Sequence, residues 1–179
     1  MRYAGLVKND VTAGNGICVT LYMQGCQHRC KGCHNPETWD FFGGQIINRE
    51  ELITQVLESL VANGVHRSFC VMGGEPLAPT NLLDTFVIVK RVKQELPNTD
   101  VYLWTGDNFK DILKQTKDNM ILKSLLQNVD YLIDGEYVEE LRDVTLRMRG
   151  SSNQNIYNVT KSIKKKKPIK EERFYKMEE

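Results

Sequence analysis

Apolar positions along this chain switch between a period of two and a period near 3.6, and the switches mark its elements. The run 17–23 (Ile-Cys-Val-Thr-Leu-Tyr-Met) is β-branched and aromatic and predicts a strand. It leads directly into a loop of cysteines, glycines and polar residues that continues to Gly43-Gly44. From Glu51 onward Leu52, Ile53, Val56, Leu57, Leu60 and Val61 recur at helical spacing. Asn48 is the expected N-cap with Glu51 as its capping-box partner, and Asn63-Gly64 is the stop. Residues 68–72 predict a short buried strand followed at once by Gly73-Gly74-Glu75-Pro76. A second helix is predicted over 80–96, with Leu82, Leu83, Phe86, Val87, Val89 and Val92 facing inward and Pro97-Asn98 ending it. Residues 101–105 form the next predicted strand, closed by Gly106. A helical stretch then starts at Asp107, breaks near Asp118 and resumes to Leu126. Residues 129–133 are a further strand, ending at Asp134-Gly135.

Strands alternating with helices imply βα units, an α/β fold and a parallel sheet. Ligands of such folds gather where the strands end. The cysteine loop, Gly73-Gly74-Glu75-Pro76, Thr105-Gly106 and Asp134-Gly135 all follow predicted strands, so four distant segments are expected at one sheet edge. The βα units are too few for a closed eight-fold barrel. The expected architecture is therefore a partial (open) βα barrel.

Composition narrows the classes. A chain of 179 residues, 41% hydrophobic and 26% charged, suits one domain with a real core. A formal net charge of +1 gives no global attraction to nucleic acid or to an anionic membrane. Residues 1–10 have no apolar signal region, and no apolar run approaches the ~20 residues that span a bilayer. A cytoplasmic location without a membrane partner is expected. Beyond Thr160 the composition turns basic (Lys161, Lys164, Lys165, Lys166, Lys167), then mixed. This predicts a core domain over 1–160 and a flexible tail over 161–179; the sharper reading is a docking segment for an acidic partner or nucleic acid.

Candidate chemistry centres on the five cysteines, three of which stand as Cys26, Cys30 and Cys33 with C-x3-C-x2-C spacing. An odd count with three close together argues against a disulfide framework. An iron–sulfur cube normally takes four cysteine thiolates, so three leave one iron open. Two other readings stand beside it. One is a zinc site completed by His28 or His34. The other is a redox pair at Cys30 and Cys33. Cys18 and Cys70 lie inside strands and read as small buried hydrophobes. His66 and Arg149 are expected at the surface or in salt bridges, and Trp39 is expected to stiffen the cysteine loop by packing.

The same spacing resembles the cluster-binding motif of the radical S-adenosylmethionine enzymes. Gly73-Gly74-Glu75-Pro76 is similar to their glycine-rich segment after the second strand. The loop from Gln24 through Gly32-Cys33-His34-Asn35-Pro36-Glu37-Thr38-Trp39, together with Asp134-Gly135 and Arg149-Gly150-Ser151-Ser152-Asn153-Gln154, resembles the activases of anaerobic (class III) ribonucleotide reductases over residues 5–160. The resemblance implies a radical SAM type of partial barrel. It implies a 4Fe–4S cluster held by Cys26, Cys30 and Cys33, its fourth iron chelated by the amino and carboxylate groups of S-adenosylmethionine. Gly32, Cys33, His34, Gly73, Gly74, Glu75, Thr105 and Asp134 are the implied cofactor-binding residues, with no catalytic side chain beyond them. Many radical enzymes carry an aromatic residue before the third cysteine. Here that residue is Gly32, which leaves His34 as the neighbouring ring for adenine.

The implied reaction is reductive cleavage of S-adenosylmethionine to methionine and a 5′-deoxyadenosyl radical. That radical takes a hydrogen from a glycine near the C-terminus of the reductase large subunit. A flavodoxin or ferredoxin is the implied electron donor. Alternatives are an activase of pyruvate formate-lyase type, a small-molecule radical enzyme such as a deazaguanine synthase, and a non-enzymatic zinc module binding nucleic acid through Lys164–Lys167.

Overall fold

The computed structural model describes residues 1–175 as a mixed α/β fold around one open, seven-stranded sheet. The strands are β1 (Arg2–Asp10), β2 (Cys18–Met23), β3 (Gln45–Ile46), β4 (Ser68–Gly73), β5 (Val101–Trp104), β6 (Tyr131–Asp134) and β7 (Asn155–Asn158). Their order is β3-β1-β2-β4-β5-β6-β7. The inner four, β2, β4, β5 and β6, are parallel, while β1, β3 and β7 flank them antiparallel. The helices are α1 (Arg49–Val61), α2 (Leu82–Glu95), α3 (Phe109–Gln115), α4 (Met120–Leu126) and α5 (Val159–Lys165).

Strand alternation divides the core. Val19, Leu21, Met23, Phe69, Val71, Val101, Leu103 and Leu132 point to the face that packs with residues of α1, α2, α3 and α4. Cys18, Cys70, Tyr102, Ile133 and Ile156 point to the other face, where Ala13 and Phe174 cover them. Cys18 and Cys70 are therefore small, fully buried packing residues, as the strand pattern predicts. No helix among the described residues is long and apolar enough to cross a membrane.

The helix boundaries follow local chemistry. The Asn48 side chain accepts from Glu50 N–H at 2.9 Å and Glu51 N–H at 3.4 Å, which caps α1. Glu51 does not return the capping-box bond; it accepts instead from Gln55 Nε2. In α2 the inward stripe differs from the expected one by a rotation. Ile88 is fully buried beside Thr85, Val89 and Val92, and Leu83 is 49% exposed. The helix starts at Leu82 rather than residue 80, because Asn81 is occupied in tying down the loop before it.

The segment expected to be a flexible tail is built into the fold through residue 175; residues 176–179 lie outside the described residues. Lys161, Lys164 and Lys165 sit in α5, capped by Asn158, whose side chain accepts from Lys161 N–H at 2.9 Å. The chain then returns along β7, with Asn158 N–H donating to Ile169 O and Glu171 N–H to Ile156 O. Phe174 is 3% exposed and meets Tyr131 edge-on at 5.5 Å. A composition count misses this because two aromatics suffice to dock a short charged segment over an apolar sheet face.

Lys166 ends α5 in the left-handed region, φ +54°. Glycine is the usual residue at that position, since a Cβ there is strained. Lys166→Gly is expected to stabilise the protein by about 1 kcal/mol, measured as a shift of the urea midpoint; an unchanged or lower midpoint would show the strain is absent.

Candidate metal and cofactor cleft

Parallel pairing brings the ends of β2, β4, β5 and β6 to one edge: Met23 pairs with Gly73, Leu103 with Val71 and Trp104 with Ile133. A cleft of about 190 Å³ opens there. Its lining includes Cys26, Cys30, Cys33 and His34 from the first loop, Gly73, Gly74 and Glu75 from the second, and Thr105 from the third. Five segments contribute, and three of the four expected to meet do so by these residues; the fourth supplies Gly135, Glu136 and Tyr137 rather than Asp134.

The cysteine loop is closed at its base. Gly25 N–H donates to Thr38 O at 2.8 Å and Cys26 N–H to Trp39 O at 3.1 Å. Within it Cys33 N–H donates to Cys30 O at 3.1 Å, and Asn35 N–H reaches Cys33 Sγ at 3.4 Å. The Gln24 amide donates to Asp40 O and Glu37 O, tying the strand end to the loop's return. Trp39, half-buried, thus belongs to the loop's base through its backbone.

The glycines at the end of β4 are required by the protein itself. A Cβ on Gly74 would stand 2.5 Å from Gly25 O, and one on Gly73, at φ +99°, would stand 2.8 Å from Tyr22 Cα. Backbone cannot yield as a side chain does. Gly74 N–H donates to Met23 O and Glu75 N–H to Gly25 O, both at 2.8 Å, so this turn extends the β2–β4 ladder up to the cysteine loop. Asn81 Nδ2 donates to Gln24 O and Glu75 O, both at 2.9 Å, fastening the same two loops from below.

Glu75 is 1% exposed, and both its oxygens are taken. Oε1 accepts from Leu77 N–H at 2.9 Å; Oε2 accepts from Gly106 N–H at 2.8 Å and faces His28 Nε2 at 3.0 Å. His28 also meets Glu136 at 2.9 Å through Nδ1 and Asp107 at 3.5 Å through Nε2. The hydrogen bond to Glu75 is the main cause that raises His28 to about 9, against the opposing effect of burial. A Cβ on Gly106 would stand 2.5 Å from His28 Cδ2, so glycine makes room for the ring. The cysteine loop is thereby pinned to the ends of β4, β5 and β6 by one histidine among three carboxylates. The sequence pointed to His28 only as a zinc ligand, to Asp107 only as a helix start, and not to Glu136 at all. The signal available was the position of Asp107 and Glu136 two and three residues past predicted strand ends.

Two expected cofactor-binding residues lie outside the cleft lining. Asp134 is 2% exposed and accepts from Phe109 N–H at 2.9 Å, capping α3 instead of facing the cleft. Burial raises its pKa. Gly32 turns at φ +74°, exposed beside Glu139 and Tyr137, and is not among the residues lining the cleft. Thr105 lines the cleft wall, with its hydroxyl accepting from Asp107 N–H at 3.1 Å. His34 stands at the rim, edge-on to Tyr137 at 5.5 Å. Arg149 lies over the Tyr175 ring at 4.4 Å, a cation–π contact in place of a surface salt bridge. His66 is exposed, as expected for a loop residue.

The donor set suits an iron–sulfur cube. All three thiols are free, share one cleft and come from one short loop. Burial raises the pKa of Cys26 and Cys30, so binding a cluster would displace their protons. A cube takes one thiolate per iron, whereas zinc draws all its sulfurs to about 2.3 Å from one point. Among the described residues no three His, Cys, Asp or Glu side chains gather as a single-ion site.

Residues 12–157 match the family model described as a 4Fe-4S single cluster domain. Similar curated proteins carry the name anaerobic ribonucleoside-triphosphate reductase-activating protein. That of Pasteurella multocida is 36% identical over 161 residues, covering 89% of this chain and 99% of the relative. That of Haemophilus influenzae is 35% identical over 158 residues, 88% of this chain and 97% of the relative. That of Enterobacteria phage T4 is 34% identical over 163 residues, 91% of this chain and 97% of the relative.

Proposed function

Because the chain belongs to the family of anaerobic ribonucleoside-triphosphate reductase-activating proteins, with a 4Fe-4S single cluster domain, we propose that it activates such a reductase by installing a glycyl radical on its large subunit. The observation that carries this reading is the joining of the C-x3-C-x2-C loop to Gly73-Gly74-Glu75 at one open sheet edge. Cys26, Cys30 and Cys33 would hold the cluster, and three thiolates for four irons would leave one iron for S-adenosylmethionine. When bound, the cluster and S-adenosylmethionine supply one-electron cleavage of the sulfonium and abstraction of hydrogen from a glycine Cα.

This chain's own residues bind and orient. Backbone groups of Gly73 and Gly74 and the side chains of Thr105 and His34 line the space beside the thiols and are the proposed contacts to S-adenosylmethionine. Glu75, with both oxygens engaged, acts through His28 and Gly106 to fix the loops rather than by pairing with a ligand ammonium. The sheet is read as a radical SAM type of partial barrel whose missing strands leave room for a loop of the protein substrate. Residues 1–160 form the catalytic unit; of the segment that follows, residues 163–168 lie beside α3 and α4, and Phe174 packs on the second sheet face. A low-potential donor such as flavodoxin supplies the electron in a reducing, oxygen-free cytoplasm.

Mixing anaerobically reconstituted protein, S-adenosylmethionine, reductant and the reductase is expected to give a glycyl-radical doublet in electron paramagnetic resonance together with deoxyribonucleotide formation. S-adenosylmethionine cleavage with no doublet on the reductase would reject this partner. No cleavage at all, with the cluster intact, would reject the mechanism.

A further inference from the structure

The lysine-rich segment has no part in the cleft, yet the structure gives it one. It closes a second and larger cavity, about 540 Å³, between α3, α4 and the end of α5. Six lysines surround it: Lys110 and Lys114 on α3, Lys117 in the following turn, Lys123 on α4, and Lys166 and Lys167 beyond α5. Leu113, Leu126, Ile163 and Pro168 supply an apolar floor, and no Asp or Glu belongs to the lining. Lys114 pairs with Asp111 at 2.6 Å; among the described residues the other five lysines make no ion pair.

A net charge of +1 for the chain makes this concentration local. The five lysines without an ion pair among the described residues repel one another, and the fold holds one of them, Lys166, there at a backbone cost. Lys166 occupies a left-handed position that glycine fills more easily, and Lys167 N–H donates to Ser162 O at 3.2 Å. A non-glycine residue kept in a strained conformation is an outlier that asks for a use.

The lining also discriminates among anions. It contains no arginine fork for phosphate and no aromatic ring on which a base could stack. An apolar floor rimmed by flexible point charges suits side chains such as leucine flanked by carboxylates. We propose that this groove docks an acidic protein segment carrying apolar residues between its Asp or Glu residues. The proposal is independent of the chemistry assigned to the cysteine cleft.

A dye-labelled peptide of glutamates with leucines at helical spacing is the probe, added to the full-length protein. Anisotropy should report saturable binding that weakens at least about tenfold between low and high salt. A Lys117→Glu, Lys123→Glu, Lys167→Glu triple variant should bind about tenfold more weakly. Lys166→Gly is the control for folding: it should raise the unfolding midpoint and still weaken the peptide. Ile163→Ala should weaken the leucine-containing peptide more than an all-glutamate one. Equal affinity for the triple variant and wild type would overturn the groove. Tighter binding of oligothymidylate or of anionic vesicles than of the peptide would overturn the choice of a protein segment.

Discussion

Replacing any one of Cys26, Cys30 or Cys33 by alanine is expected to abolish the reconstituted cluster, and with it all activation of the reductase. In the proposed site each thiolate would serve a separate iron, so losing one would leave two protein ligands for four irons rather than a weakened version of the same site. No other thiol can substitute. Cys18 and Cys70 are fully buried on the second sheet face, beneath Gly14, where a Cβ would stand 2.8 and 2.9 Å from their sulfurs. Cys70→Ala is therefore expected to keep full iron and sulfide content. The measurement is iron and sulfide per chain after anaerobic reconstitution, with the broad charge-transfer absorbance and the reduced-cluster paramagnetic signal. A single-cysteine variant of the loop that retains wild-type iron content would reject the ligand assignment. Wild-type protein that takes up only zinc, one per chain and colourless, would reject the cluster itself.

The positions of these thiols were legible because spacing is a local property. C-x3-C-x2-C holds within one loop, and a strand pattern before it predicts which sheet edge the loop occupies. The parallel strands were legible for the same reason: 17–23, 68–72, 101–105 and 129–133 are apolar runs that need no partner to be recognised. What escaped was set by tertiary pairing. β1 (Arg2–Asp10) carries half-exposed and charged residues and becomes a strand by pairing with β2 and β3 at the sheet edge. β7 is four residues long, and its partners are β6 on one side and the returning residues 169–171 on the other. Leu83 and Ile88 exchanged places in the stripe of α2 because the helix's rotation is fixed by what it packs on, not by its sequence alone.

The site shows the same division. The two glycines at the end of β4 were read as an approach to a ligand, and they line the cleft. Their absent side chains are nevertheless demanded by Gly25 and Tyr22, a contact between loops about fifty residues apart. Asp134 was placed at the correct edge, yet its carboxylate turns to the N-terminus of α3, where a free amide of a helix end outcompetes an open cleft. His28, Glu75, Asp107 and Glu136 come from four segments, and no periodicity links them.

Glu75 is the side chain on which those segments depend most, and Glu75→Ala is expected to cost about 3–4 kcal/mol in unfolding free energy. Two backbone N–H groups, of Leu77 and Gly106, would lose their acceptor, and buried donors left unpaired cost about 1–3 kcal/mol each. His28, whose side chain is only 9% exposed, would lose the partner that does most to hold its proton. The two remaining carboxylates compensate poorly: Glu136 is 57% exposed, so solvent screens it, and Asp107 stands 3.5 Å away. Glu75→Gln separates the contributions. Its carbonyl oxygen can keep one of the two N–H bonds while the charge beside His28 is lost, so about half the cost is expected. Urea unfolding of the cluster-free protein, held reduced and anaerobic, measures both variants. Equal midpoints for wild type and Glu75→Ala would show that the network holds nothing. If Glu75→Gln proved as costly as Glu75→Ala, the charge next to His28 would be the greater part and the backbone bonds the lesser. The consequence for the cleft follows from connectivity: with Glu75 gone, the cysteine loop and the turn after β4 keep their backbone ladder but lose the tie to Gly106. Cluster content is then expected to fall only partly, and activation of the reductase to fall much further, because orientation of the second cofactor is lost before the thiols are.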